Sequence, residues 1–212
     1  MQKVNTDIDA AVSRIIGDLE TKNQARDRAL VESRQAVRHA ATGIRALHRG
    51  EHERAHESLS AGLSMVQATK RDLERYPDLY WTGYVQDAQK EIAEACIVAA
   101  ILQSRELPAP AELGVEPAPY LNGMAEAASE MRRYVLDIIR RGGEAEMQEA
   151  ERVLQIMDDV YTNLITVDFP DAITGGLRRT TDSLRGVLER TRGDLTISIR
   201  QADLARALQR GV

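Results

Sequence analysis

The chain has 212 residues, of which 43% are apolar and 4% aromatic, and its formal net charge is -5 at pH 7. A chain of this length can bury about 70% of the surface of its unfolded state, so one domain over residues 1–212 needs no disulfide or structural metal. The acidic balance excludes nucleic-acid binding by a uniformly basic surface, but it leaves room for a local basic groove.

The single cysteine and the hydropathy pattern both bear on the compartment. Cys96 lies in an apolar run, where an isolated thiol behaves as a small buried hydrophobe and indicates a reducing compartment. No apolar segment approaches the roughly 20 residues that a membrane-spanning helix requires, and the N-terminus lacks the apolar core of a signal peptide. The sequence therefore predicts a cytoplasmic protein with no membrane partner.

Apolar residues recur at spacings of three and four through the long segments, which predicts an all-α fold. Helices are expected at about 6–48, 51–75, 79–104, 120–141, 144–165 and from 177 into the tail. Between the third and fourth of these lies ELPAPAELGVEPAP, a connector with four prolines that permits at most one short turn of helix. The stretch LTISI (195–199) alternates between apolar and polar residues, so an extended segment is an alternative there.

The first long helix carries two stripes about a quarter-turn apart. One stripe is apolar and consists of Val37, Ala40, Ile44 and Leu47. The other, which we call the basic ridge, consists of Arg34, Arg38, Arg45, His48 and Arg49. The sequence thus predicts one face of this helix in the core and a continuous basic line beside it.

Two carboxylates interrupt the most apolar helix of the chain. Glu91 and Glu94 lie one turn apart on one face, and Asp87 precedes Glu91 by four residues, so three carboxylates can point into one space. Such a cluster binds a hard divalent cation such as magnesium, and a facing helix commonly supplies a further carboxylate. Asp158 and Asp159 are the candidates for that ligand. The alternative is a solvated acidic face, since exposed like charges at this spacing cost only about a few tenths of a kcal/mol.

Two other polar clusters are interpreted as structural. They are solvent-exposed histidines at His48, His52 and His56, and an internal ion pair of Glu130 with Arg132 and Arg133. Gly50 breaks the helix between the first two histidines, which argues against a shared metal. The sequence contains no P-loop, dinucleotide-binding glycine motif or paired CxxC, which excludes the enzyme classes built on them.

Four segments, taken in order, resemble the translin and TRAX family. RDRALVESRQAVRHAATGIRALHRG (26–50) is similar to the family's first long helix, and QKEIAEA (89–95) to the TRAX segment Gln-Glu-x-x-Glu-Ala. PYLNGMAEAASEMRRYVLDIIRRGG (119–143) resembles the stretch with Tyr-Leu-x-Gly and Glu-Leu-x-Arg. VLQIMDDVY (153–161) is similar to the segment that bears the third TRAX acid. The resemblance spans nearly the whole chain.

The resemblance implies a seven-helix fold whose subunits assemble, usually as eight, into a hollow shell around single-stranded nucleic acid. TRAX-type subunits carry catalytic acids and translin-type subunits lack them, so the two glutamates place this chain with the TRAX type. Carried over by position, Glu91, Glu94 and Asp159 would bind magnesium, with manganese as the alternative ion, and cleave RNA internally. The basic ridge would hold the phosphates. Because one chain carries both features, the resemblance favours a homo-oligomer, expected to be an octamer.

The expected function is therefore that of a magnesium-dependent endoribonuclease acting on single-stranded RNA inside a closed shell. One alternative is a non-catalytic protein of translin type that binds single-stranded RNA or DNA. Another is a helical scaffold for a second protein, with no role in nucleic-acid binding.

Overall fold

The computed structural model describes the backbone of residues 2–210 and the side chains of residues 8–209. The helices are α1 (Gln2–His48), α2 (His52–Asp72), α3 (Pro77–Tyr80), α4 (Gly83–Leu102), α5 (Pro110–Leu113), α6 (Pro117–Arg141), α7 (Glu144–Leu164), α8 (Asp171–Thr174) and α9 (Leu177–Arg210). The all-α prediction is confirmed. Within the described part of the chain there are six long helices and three four-residue turns, where the resemblance implied seven helices.

The long helices pack as a bundle in which α4 and α6 take the central positions. Helix α1 runs against α2 and α4, α4 runs against α6, and α6 also contacts α7 and α9. Fully buried side chains from α4, α6, α7 and α9 meet in one core, among them Ile92, Ile97, Met131, Met157 and Leu188. Helix α6 is therefore the main neighbour of both α4 and α7.

The contact between α4 and α6 depends on a glycine. A Cβ atom at Gly123 would lie 2.6 Å from the carbonyl oxygen of Lys90 and 2.9 Å from the backbone nitrogen of Glu94, distances too short for a carbon atom. Only a residue without a side chain lets the two backbones approach this closely. The contact therefore sets the distance between the acidic turn of α4 and the turn of α6 that follows Gly123.

Two local predictions have different outcomes. The proline-rich connector contains the single short turn α5, as predicted, but its last three residues, 117–119, already belong to α6. The extended alternative for 195–199 is wrong, because α9 continues through this stretch. Leu195 is buried and Ile199, one turn later, packs against the same core, so helical spacing and burial decide the local conformation over the alternating pattern.

The N-terminal part of α1 extends away from the bundle. The helix has 47 residues, which gives a length of about 70 Å at 1.5 Å per residue. Nearly every side chain over residues 8–24 is exposed, including the apolar side chains of Ile8, Val12, Ile15 and Leu19. No helix within residues 2–210 combines the length and the apolar content needed to cross a membrane.

Replacing Gly123 with alanine is expected to push α6 away from α4. Overpacking of this kind lowers the free energy of unfolding by about 1–3 kcal/mol, and chemical denaturation of the variant measures the loss. Gly193→Ala is the matched control: it also lies in a helix, its added Cβ meets no atom within 4 Å, and it should raise stability by about 0.5–1 kcal/mol. If both substitutions changed the free energy of unfolding equally, the close approach of α4 and α6 would not be what requires glycine at position 123.

Candidate metal centre

Three carboxylates from two helices meet beside the Gly123 contact. Glu91 and Glu94 of α4 and Glu126 of α6 each offer an oxygen, and these oxygens lie within 4.8 Å of one another. All three residues are partly buried. Helical spacing places Glu91 and Glu94 on one face of α4, and Glu126 faces them because it follows Gly123 by just under one turn of α6.

A lysine ammonium group lies within this cluster. The Nζ atom of Lys90 is 2.7 Å from a carboxylate oxygen of Glu126 and 3.2 Å from one of Glu91. Burial alone would lower the pKa of Lys90, but the hydrogen bond to Glu126 and the charges of Glu126 and Glu91 outweigh it, so the pKa is raised. The cluster therefore holds one positive charge between two of its carboxylates.

Glu94, the third carboxylate of the cluster, retains its proton near neutral pH. Burial raises the pKa of Glu94 to about 8, and the negative charges of Glu91, Glu126 and Glu130 add to the effect, while Lys90 opposes it. A carboxyl group that is disfavoured as an anion near neutral pH marks a place where a further positive charge would be stabilising.

The donor set fits a hard divalent cation. It consists only of carboxylate oxygens on rigid helices, and magnesium binds such ligands while it retains several of its waters. Binding of such an ion would release the proton of Glu94 and compete with the ammonium group of Lys90, because both neutralise the same charges. Glu91, Glu94 and Glu126 are the residues that would hold it.

Asp159, the third acid expected from sequence, is not part of this group. It is exposed on α7, and its Oδ1 accepts a hydrogen bond from Gln155 Nε2 at 2.8 Å. Asp158 pairs with Arg192 of α9 at 2.7 Å, and Asp87 is exposed on α4. The helix that packs along the acidic face of α4 is α6, with α7 on α6 in turn, so Glu126 takes the third position.

Sequence reasoning missed Glu126 because the carboxylate facing Glu91 and Glu94 was expected at Asp158 or Asp159, on a different helix. The available signal was the pair Gly123 and Glu126: a glycine within a helix often marks close approach of another backbone, and a carboxylate three residues later then faces that neighbour. Which helix is the neighbour is not encoded locally. Lys90 was missed for the same reason, since its partner Glu126 lies on the other helix.

The basic ridge is only partly as predicted. Arg34, Arg38 and Arg45 are exposed along one face of α1, and Arg49 is exposed in the turn that follows the helix, whereas the buried Ala36 and Ala40 occupy the core-facing side of α1. The guanidinium of Arg45 donates a hydrogen bond to Thr42 Oγ1 at 3.1 Å. Four arginines thus form a solvent-accessible basic line.

His48 does not belong to that line. Its side chain is only 3% exposed, and its Nε2 lies 2.7 Å from Oε1 of Glu130 on α6. The prediction of an exposed histidine at this position is therefore wrong, whereas His52 and His56 are exposed as expected. The predicted ion pair of Glu130 with a neighbouring arginine is also wrong, because Arg132 instead pairs with Asp194 of α9 at 2.7 Å.

Removing the charge of Glu94 is expected to change how stability depends on pH. Glu94 ionises near the ordinary value of 4.5 in the unfolded state and near 8 in the folded state, so its contribution to the free energy of unfolding falls as pH rises between these values and is level above them. Glu94→Gln should match wild type near pH 4.5 and exceed it by roughly 1–3 kcal/mol at pH 8. Urea denaturation in EDTA measures the difference.

The control for that experiment is Glu57→Gln, because Glu57 is an exposed carboxylate of α2 outside the cluster, so the loss of stability caused by Glu94 at higher pH should persist in this variant. A Glu94→Gln difference that stays constant from pH 4.5 to 8 would contradict the raised pKa.

Comparisons with known proteins agree with this fold. No family model matches the chain. It is 29% identical over 197 residues to the uncharacterized protein MJ0175 of Methanocaldococcus jannaschii, covering 92% of this chain and 86% of that protein.

Solved structures give the clearer comparison. The chain superposes on the AfC3PO–duplex RNA complex with a TM-score of 0.81 and 29% identity, over 90% of this chain and 97% of that chain. The AfC3PO crystal structure gives the same TM-score and identity, over 90% of this chain and 98% of that one. Apo-NeC3PO gives 0.79 at 16% identity, over 88% and 96%, which shows the fold alone. The structural neighbours of the chain are therefore C3PO proteins, which supports the resemblance to the translin family.

Proposed function

We propose that this protein is a magnesium-dependent endoribonuclease that acts on single-stranded RNA inside a closed oligomeric shell. The observation that carries the proposal is the meeting of Glu91, Glu94 and Glu126 within 4.8 Å at the Gly123 contact. The assignment differs from the sequence prediction in its third acid, which is Glu126 in place of Asp159.

The chemistry follows from the charges of the site. A divalent ion held there would act as a Lewis acid on the phosphodiester and would favour loss of a proton from water near neutral pH. Glu91, Glu94 and Glu126 would hold it from two rigid helices. Lys90, which lies between Glu91 and Glu126, is placed to balance the charge of these acids in the absence of the ion and to meet a phosphate oxygen in its presence.

Nucleic-acid binding is supported by the exposed line of Arg34, Arg38, Arg45 and Arg49 and by a neighbour at 29% identity that was solved with duplex RNA. The line belongs to α1, which also packs against α4, the helix of the acids. Phosphate contacts of this kind position a strand without reading its bases, so weak sequence preference is expected. The duplex in the AfC3PO complex makes double-stranded RNA the second substrate to examine.

Assembly into a homo-oligomer, with eight subunits as the expected number, is part of the proposal. The exposed apolar side chains on the free end of α1, Ile8, Val12, Ile15 and Leu19, provide surface of the kind that subunit contacts cover. A shell whose arginine lines face inward would reconcile RNA binding with a net charge of -5. A non-catalytic translin-type binding protein is the alternative function.

The central test compares Glu126→Gln with Asp159→Asn on labelled RNA in magnesium. Glu126→Gln, like Glu94→Gln, should lower the cleavage rate by roughly 100-fold or more, because a metal ligand is removed. Asp159→Asn should cleave at nearly the wild-type rate. All three variants should bind the RNA with unchanged affinity in EDTA, measured by fluorescence anisotropy.

The opposite ranking of cleavage rates, with Asp159→Asn inactive and Glu126→Gln active, would show that the third catalytic acid lies on α7. Wild-type protein that binds RNA but leaves both single strands and duplexes intact in magnesium and in manganese would establish the translin-type alternative. Absence of any binding at low salt would favour a protein scaffold.

The arginine line gives a separate prediction about salt. The double variant Arg34→Gln/Arg38→Gln should weaken RNA binding, and the slope of log affinity against log salt should become shallower by about 0.7 for each single-strand phosphate that the variant no longer neutralises. Arg140→Gln/Arg200→Gln is the charge-matched control, since both arginines are exposed on other helices. An equal change in the control would indicate a general charge effect and no specific role for α1.

A further inference from the structure

The contact between His48 and Glu130 joins the end of α1 to the middle of α6. The two residues are 82 positions apart, Nε2 and Oε1 are 2.7 Å apart, and the ring of His48 is 3% exposed. The imidazole of His48 is therefore nearly buried and has a single carboxylate partner. Contact with solvent does not explain its position. Arg45, one turn earlier on α1, and Arg49, in the turn that follows the helix, are both exposed, so burial distinguishes the histidine from these two arginines.

Glu130 is close to the candidate metal centre. It follows Glu126 by four residues on α6, which places both side chains on one face of the helix. Glu130 nevertheless lies outside the group of oxygens formed by Glu91, Glu94 and Glu126, and its own oxygen is taken by His48.

Glu130 needs a hydrogen-bond partner to hold its carboxylate in one orientation. Without a partner, Glu130 would be free to adopt several rotamers, some of them nearer to Glu126, where like charges repel. An imidazole N–H that donates to Glu130 fixes the carboxylate in one orientation and spreads part of its charge. Contacts that orient the groups around a metal site commonly contribute a factor of about 10–100 to metal affinity.

We propose that His48 is a positioning residue that acts through Glu130, fixing the carboxylate beside Glu91, Glu94 and Glu126 so that the centre is preorganised for a divalent cation. This inference rests on the proposed function. It changes the role expected for His48, from a contact to nucleic acid on the surface of α1 to a support for the acids on α6. It also means that the end of α1, next to the arginine line, contacts a residue beside the candidate metal centre.

The experiment compares His48→Asn with His48→Gln in the full chain. The amide nitrogen of glutamine reaches approximately the position of the histidine Nε2 atom, whereas the asparagine amide ends short of Glu130. Manganese binding is measured by isothermal titration calorimetry, and circular dichroism confirms that both variants keep the helical content of wild type. His48→Asn should bind manganese about 10–100-fold more weakly than wild type, and His48→Gln should keep most of the affinity.

A double-variant cycle tests whether His48 acts through Glu130. Glu130→Gln should itself weaken manganese binding, and adding His48→Asn to it should cause little further loss, since the partner that His48 orients has already been changed. In RNA cleavage, His48→Asn should lower kcat and leave KM unchanged. RNA affinity in EDTA should be the same for all variants, because the arginine line is intact.

Equal manganese affinity of wild type and His48→Asn would overturn the inference, and so would full additivity with Glu130→Gln. A loss of RNA affinity in EDTA with unchanged manganese binding would return His48 to nucleic-acid contact. Wild-type protein that binds no manganese would instead refute the proposed function, and this inference with it. If His48→Asn does not fold, wild-type affinity in Glu130→Gln would overturn the inference by itself.

Discussion

The approach of α6 to α4 at Gly123 is the constraint on which the rest of the site depends. Because no Cβ atom fits between the two backbones, the acidic turn of α4 and the turn bearing Glu126 meet at a distance where three carboxylates repel one another. The chain offsets this repulsion with the ammonium of Lys90 and with a proton retained on Glu94. Such an arrangement is costly for stability, and costs of this kind concentrate at functional sites.

The electrostatic pattern of the molecule has two separate parts. Arg34, Arg38 and Arg45 lie along the exposed face of α1 and Arg49 lies in the turn after it, while the acids are collected between α4 and α6. An acidic chain can therefore present a basic surface locally without neutralising its own acidic cluster. The contact of His48 with Glu130 joins these two parts. It connects α1, which would hold an RNA strand, to α6, which with α4 would hold a cation.

Much of this architecture follows from local patterns in the sequence. Periodicity at three and four predicted the long helices, and the prolines between 106 and 119 predicted the connector with its single turn, because these signals act within a few residues. The pairing of Glu91 with Glu94 and the arginine face of α1 follow from helix geometry in the same way. The alternating stretch 195–199 shows the limit, since burial of Leu195 against distant residues determined its conformation.

The sequence by itself therefore determined the all-α class, the two acids on one helix and the arginines on another. Only the tertiary structure decided that Glu126 completes the cluster where Asp159 does not, that Lys90 lies within it, and that His48 points inward. The physical reason is that a helix fixes the relative directions of its own side chains, whereas the face that another helix presents depends on packing of the whole bundle. At Gly123 that packing brings the backbone of α6 so close to α4 that no Cβ atom fits between them, and Glu126 then lies beside Glu91 and Glu94.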